Sequence, residues 1–390
     1  MAVKLWTVPF MRISVANLLL FLSQYVLFPA LSLEMADRLG VSVGQTGVIF
    51  LFFTLGMFLI GPFHAYLIDA YKRKQVCMLS FALMLAATVG YAFVTNLSEL
   101  ILLSTVQGLA FGMASTAGIT LAIDITNSTL RSVSNVSFAW LARLGMIIGI
   151  ALGTWICPVY GFKNLLAVSL VTGAAGILLV SGVYVPFRAP IVTKLYSFDR
   201  FLLLRGWVPA INMILIMFVP GVLVSLVHQS LNDFTLGTTG ISIPFFAGVG
   251  VGFVLSLLLA RLVQALFRHF SFKETPLRLV MMGIALEMLA FALLSAGASL
   301  VISSICLGLG LGLLMPEFLS MFVKLSQHCQ RGTGNTTHLL SCEVGIALGI
   351  AASCCLDTDT ILYAGHITAA LALLFFILVT YPYYQKRKVR

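Results

Sequence analysis

Charge is what this chain of 390 residues has least of: Asp, Glu, Lys and Arg together make up 9% of it. Soluble domains carry about a quarter, so a water-soluble globular fold is excluded. Its seven cysteines include no C-x-x-C pair, and Cys354 and Cys355 are adjacent. That arrangement suits neither a zinc site nor an easy disulfide, and the cysteines read as apolar filler. No catalytic triad and no metal-ligand spacing is present. The glycine-rich run at 308–314 lacks the preceding strand and the lysine of a phosphate loop. An enzyme and a nucleotide-driven pump are therefore disfavoured, and no cofactor is expected. Ala2–Pro9 lacks a small-residue cleavage pattern and runs straight into apolar sequence, so no cleavable signal is expected.

What is present is hydrophobic: 60% of the residues. A spanning helix needs about 20 mostly apolar residues, and turn or charged residues divide the chain into twelve such runs. They lie near 10–33, 44–69, 74–95, 98–124, 133–157 and 163–186, then 207–228, 239–267, 275–297, 299–325, 333–355 and 361–384. An open sheet edge cannot sit in lipid, so closely spaced runs of this length must be helices. The net charge of +10 would suggest nucleic acid in a soluble protein. Here topology explains it. With the N-terminus inside, every Lys and Arg except Arg38, Lys163 and Arg143 falls on the inner side. Both termini are then cytoplasmic, the partner is a lipid bilayer, and nucleic acid is not expected.

The chain also repeats itself. Shifted by 200 positions, 101–160 lies on 301–360 without a gap. Ser104, Gly108, Leu109 and Gly112 meet Ser304, Gly308, Leu309 and Gly312. Arg131 and Asn135 meet Arg331 and Asn335, and Gly145 and Gly149 meet Gly345 and Gly349. Twofold repetition is the usual architecture of secondary transporters. It predicts an all-α membrane protein with twelve transmembrane helices in two pseudo-symmetric six-helix bundles, 1–186 and 207–390. The inner connection 187–206 carries Pro190, four basic residues and the apolar Phe198, Phe201 and Leu202–Leu204. It reads either as a short amphipathic helix on the membrane surface or as a plain basic linker.

A charge at mid-bilayer costs at least about 2.5–3.5 kcal/mol, so it usually faces a cavity or a partner. Four charged residues fall well inside spans, toward mid-bilayer: Arg143, Glu287, Glu317 and Glu343. Arg143 and Glu343 occupy the same place in the two copies, each twelve residues past its loop arginine. At 1.5 Å per residue that is about 18 Å, near the midplane. Pro316 should kink the helix just before Glu317. A carboxyl group in a dry cavity can carry a proton at neutral pH. The competing reading for all of them is a buried ion pair that fixes packing. Asn17, Gln24 and Tyr25 (span one), Gln107 (span four) and Asn212 (span seven) either line the same cavity or bond neighbouring helices; His338 (span eleven) either shares the face of Glu343 or sits in the cytosolic vestibule.

The turn after span two, GPFHAYLIDAYKRKQV, resembles the G-x-x-x-D-R-x-G-R-R loop of the major facilitator superfamily. Asp69, Arg73 and Lys74 fall in the expected places, while Ala65, Ala70 and Lys72 depart from the motif. The resemblance implies that the acid caps the start of helix eleven. It also implies that the loop arginine pairs with an acid ending helix four, where Asp124 stands, as part of a cytosolic latch between the halves. Arg131 and Arg331 belong to the same inner face. At the 200 offset His269 stands in place of Asp69 and Lys273 in place of Arg73, so such a latch would be one-sided. Gln107-Gly108 matches a family pattern whose preceding arginine is here Ser104. Gly145, Gly149 and Gly153 resemble an exporter signature that lacks its proline. In that family, spans one, two, four, five, seven, eight, ten and eleven bound the cavity, and span nine lies outside. Arg143, Glu317 and Glu343 are then the cavity candidates, and Glu287 is structural. The implied function is secondary transport by alternating access. The leading expectation is a monomeric, proton-coupled exporter of small organic molecules in a bacterial inner membrane. The alternatives are a symporter or facilitator for an anionic or zwitterionic metabolite, and a non-transporting receptor or enzyme on the same scaffold.

Overall fold

The computed structural model describes residues 5–185, 194–198, 200–233, 239–268, 275–327 and 331–387. Side chains are outside the description at 128, 227–233, 239–243, 266–268, 275, 276 and 331. The described residues contain helices and connections and no strand. They fall into two compact units, 1–203 and 204–390.

The first unit begins with α1 (Val8–Tyr25) and α2 (Phe28–Leu39), which together make one span. Pro29 explains the interruption at Val26–Leu27, since it lacks the N–H that would bond the Tyr25 carbonyl. This first span therefore reaches further outward than 33. Next come the short α3 (Val43–Gly47), opened by a Ser42–Gln45 capping box, and α4 (Ile49–Ala70). Then follow α5 (Arg73–Gly90), α6 (Leu97–Asp124), α7 (Arg131–Tyr160) and α8 (Phe162–Ser181). A single residue, Gly161 at φ 83°, turns α7 into α8, a conformation glycine adopts without strain.

The second unit holds α9 (Trp207–Asp233), α10 (Thr239–Arg268), α11 (Thr275–Ser295), α12 (Leu300–Leu325) and α13 (Arg331–Cys355). The last span is α14 (Thr358–Phe375), a π-turn at Phe376–Thr380 and α15 (Tyr381–Arg387). Eleven of these described spans are long and apolar enough to cross a bilayer. The twelfth expected span, α5, is helical over 18 residues but spends its first turn on Arg73, Lys74 and Gln75.

The two units share one plan of helix contacts. In the first, α4 and α5 pack on α6, α7 and α8 pack on α1, and α5 meets α8. In the second, α10 and α11 pack on α12, α13 and α14 pack on α9, and α11 meets α14. Glycines enforce the closest crossings. A Cβ on Gly108 would stand 1.8 Å from the Phe53 carbonyl oxygen, and one on Gly308 2.0 Å from that of Val249. Gly145 and Gly149 lie on the backbone at Leu18 and Leu22 of α1; Gly345 and Gly349 lie on Ile214 and Phe218 of α9. In lipid, close backbone approach and interhelical hydrogen bonds hold helices together. Ser23 and Ser169 supply such bonds reciprocally: each hydroxyl donates to the other's carbonyl, at 2.7 and 2.6 Å, joining α1 to α8.

The packing partners refine the repeat. α6 and α7 match α12 and α13 at an offset of 200, but Phe53 and Leu22 match Val249 and Phe218, 196 positions apart. α9 and α10 are therefore shifted by four residues against α1 and α4. That overturns the alignment of His269 with Asp69; Ala265 takes that place. His269 and Lys273 themselves lie outside the described residues.

Candidate functional site

Arg143 lies on α7, twelve residues from the helix start, and is 3% exposed. Its guanidinium stands over the Phe21 ring of α1, 5.5 Å from the centroid, and its Nη1 is 3.6 Å from the Met146 sulfur. A cation over an aromatic face is attracted by the ring quadrupole. Phe21 is the edge of an aromatic cluster from three spans. It meets Phe111 at 5.0 Å and stacks on Tyr25; Tyr25 meets Phe28, and Phe28 meets Phe50 and Phe53. Tyr25 is thus packed in aromatic surroundings. Gln24, beside it in sequence, is 1% exposed, and its side-chain oxygen has no hydrogen-bond partner among the described residues. An unbonded buried acceptor costs roughly 1–3 kcal/mol, so Gln24 is the member of this group with an unmet need for a donor.

Glu343 lies twelve residues into α13 and is 2% exposed. His338 is buried on the same helix, against the Phe322 ring and 3.9 Å from the Cys342 sulfur. Thr333, Asn335, Thr336, Thr337 and Ser341 are buried beside them. Thr336, Thr337 and Ser341 donate to carbonyls one turn back. The Asn335 side-chain oxygen has no partner among the described residues. This polar run was missed in the sequence reading beyond His338. Its signal is a cluster of Thr, Asn and Ser inside a span whose first copy carries mostly apolar residues at the same positions.

The other candidates divide. Three amides bond neighbouring helices, and the Asn212 side-chain oxygen has no partner among the described residues. Asn17 donates to the Phe138 carbonyl of α7 at 3.2 Å. Gln107 accepts from Tyr91 at 2.7 Å and donates to Thr88 at 3.1 Å. Asn212 donates to the Ala372 carbonyl of α14 at 2.9 Å. Asn17 also borders a cavity between α1, α5 and α6 with room for about one water. Glu317 is half-buried and within electrostatic reach of Lys324 and of Tyr384 on α15. Glu287 is 2% exposed, packed on the α12 backbone at Gly310, with one oxygen unpartnered among the described residues.

At the loop end of α4, Asp69, Arg73 and Asp124 form one network. Arg73 donates to Asp124 at 2.5 Å and to Asp69 at 3.2 Å, and Arg200 reaches the second Asp69 oxygen at 2.9 Å. Both acids are nearly buried, and Arg73 is about one-fifth exposed. The Arg73–Asp124 pair lies wholly inside the first unit, so it ties α5 to α6 and is not itself a bond between the halves. Lys74 stands where the motif has its last arginine. Its amine donates to the Ser181 and Val183 carbonyls at 2.5 and 3.0 Å, capping α8, and Arg12 joins it on Gly182 at 2.6 Å. Arg131 is exposed at the first turn of α7, and the Arg331 side chain lies outside the described residues.

Residues 13–350 match the model of the Major Facilitator Superfamily. The chain belongs to that family, which makes it a membrane transporter and not an enzyme. Among solved structures it is similar to an auto-inhibited peptide transporter of the POT family. That likeness has a TM-score of 0.73 at 12% identity and covers 98% of this chain and 97% of the other. It is also similar to a bacterial homologue of the human lysosomal transporter Spinster, solved inward-facing and unoccupied. There the TM-score is 0.66 at 13% identity, covering 98% of both chains. At such identities the likeness shows the fold alone. No curated protein sequence matches this chain.

Proposed function

We propose that the chain is a proton-coupled secondary transporter that moves a small organic molecule outward by alternating access. The observation that carries this is the twin burial of Arg143 and Glu343, at the same depth of equivalent helices in the two units. Two ionisable side chains kept in apolar spans are costly, and a transport cycle gives each a use. Arg143 recognises the substrate. Glu343 takes up and releases the proton, with Glu317 as a second carboxyl. Gln24 and Asn335 offer unused acceptors to the substrate. Asp69, Arg73 and Asp124 hold the cytosolic end of the first unit, and the protein works as a monomer in a bacterial inner membrane.

A second reading concerns the substrate. Arg143 beside the Phe21–Phe111 cluster suits an anion or zwitterion carrying an apolar group, which a symporter or facilitator could equally move. Flux of labelled candidates in proteoliposomes, with and without an imposed pH gradient, tests both. Gradient-driven flux is expected; flux indifferent to the gradient in either direction would remove proton coupling and leave facilitation.

A further inference from the structure

The connection between the units is not free chain where it is described. Residues 194–198 and 200–203 form bends and turns and Leu204–Gly206 a 3-10 turn, not the amphipathic helix offered as one expectation; 187–193, including Pro190, and 199 lie outside the described residues. Of the apolar side chains in 194–198 and 200–203, Phe201 and Leu203 are buried, while Leu195, Tyr196 and Phe198 are exposed. Phe201 is 2% exposed and meets Phe58 and His64, each at 6.0 Å between ring centres. Its ring fills a notch made by glycine: a Cβ on Gly61 would stand 2.0 Å from it. The Ser197 N–H donates to the Pro62 carbonyl at 3.0 Å, and Tyr196 packs edge-on to Phe63 at 5.8 Å. Arg200 closes the contact on Asp69 at 2.9 Å. These contacts run from Phe58 to Asp69, roughly 16 Å of α4.

We infer that residues 194–198 and 200–203 are a detachable strap: an intramolecular ligand of α4 whose docking sets the length of free tether between the units. Detachment is built into its chemistry. One ring plugs one notch, Tyr196 and Phe198 on either side of Ser197 are exposed, and its clasp, Arg200, is half exposed. The strap ends one residue before the second unit begins. Releasing it would add ten residues of tether, about 33–36 Å of extended reach. The Gly61 notch and the second oxygen of Asp69 would fall vacant together.

Site-resolved labelling tests this without reference to transport. Ser197→Cys, reconstituted in liposomes permeable to a charged maleimide, reports opening of the strap, and mass spectrometry separates that site from the native cysteines. Phe201→Ala and Gly61→Val should each raise the labelling rate by about tenfold or more, as for removal of a buried phenylalanine contact. Arg200→Ala should raise it about two- to fivefold, as for a half-exposed ion pair, and Arg200→Lys should restore most of the protection. A spin-label pair at the exposed Leu59 and Leu262 should give a broader distance distribution in the released variants. Equal labelling in all variants would overturn docking, and an unchanged distribution with raised labelling would overturn the tether. Should Phe201→Ala fail to fold, Arg200→Ala on the surface decides the question, by the same criteria.

Discussion

α7 and α13 occupy the same place in the two units, yet their N-terminal halves are built from different materials. On α7 the run to Arg143 includes Val133, Val136, Phe138, Leu141 and Ala142; on α13 the same positions hold Thr333, Thr336, His338, Ser341 and Cys342. Val133 is exposed, whereas Thr333 is buried. Arg143 rests on an aromatic ring, and Glu343 follows a buried line of hydroxyls, an amide and an imidazole. The glycines behind both helices pack alike, Gly145 and Gly149 against α1, Gly345 and Gly349 against α9. Duplication has kept the packing face and changed the polar one.

Several experiments bear on that contrast. Arg143→Ala should lower transport about 100-fold with normal expression, equivalent to roughly 2.7 kcal/mol of lost stabilisation. Uptake at wild-type rate would reduce Arg143 to packing. Glu343→Gln keeps the shape of the side chain and removes its proton site; it should lose the dependence of flux on a pH gradient while retaining exchange without one. Transplanting the polar run, for instance Phe138→His with Leu141→Ser, should shift substrate preference and leave coupling intact, as measured by competition among labelled substrates.

The shared packing face makes its own predictions. Gly108→Ala and Gly308→Ala should each destabilise by about 1–3 kcal/mol, the range for overpacking, and by similar amounts, because both meet a helix backbone. Thermal unfolding in detergent would show it; a tolerated substitution in one unit alone would mean the two crossings are not equivalent. Ser23→Ala should cost about 0.6 kcal/mol, the average for an interhelical hydrogen bond in a membrane protein.

Much of the fold is legible from one sequence because lipid leaves few choices. Apolar length fixes the helices, basic residues fix expected sidedness, and glycines survive duplication because the backbone crossing tolerates nothing larger. The depth of Arg143 is readable by counting residues from Arg131. The Arg73–Asp124 contact follows from the family motif, but its place within one unit corrects the idea that it joins the halves. Other features have no local signature. Phe201 looks like one more apolar residue in a basic linker, because the Gly61 notch that receives it is 140 positions away. The amides of Asn17, Gln107 and Asn212 look identical to cavity residues until their partners on other helices are seen. The four-residue shift of α9 and α10 against α1 and α4 is likewise invisible to an ungapped comparison of 101–160 with 301–360.

Proton movement itself is the sharpest probe of the twin charged positions. Proteoliposomes containing a trapped pH indicator would be given a panel of small organic anions, cations and zwitterions, with wild-type protein and with Glu343→Gln. At least one compound should drive a lumenal pH change in the wild type that Glu343→Gln abolishes. A compound that crosses readily in both proteins with no pH change beyond that of empty vesicles would contradict a proton-carrying role for Glu343.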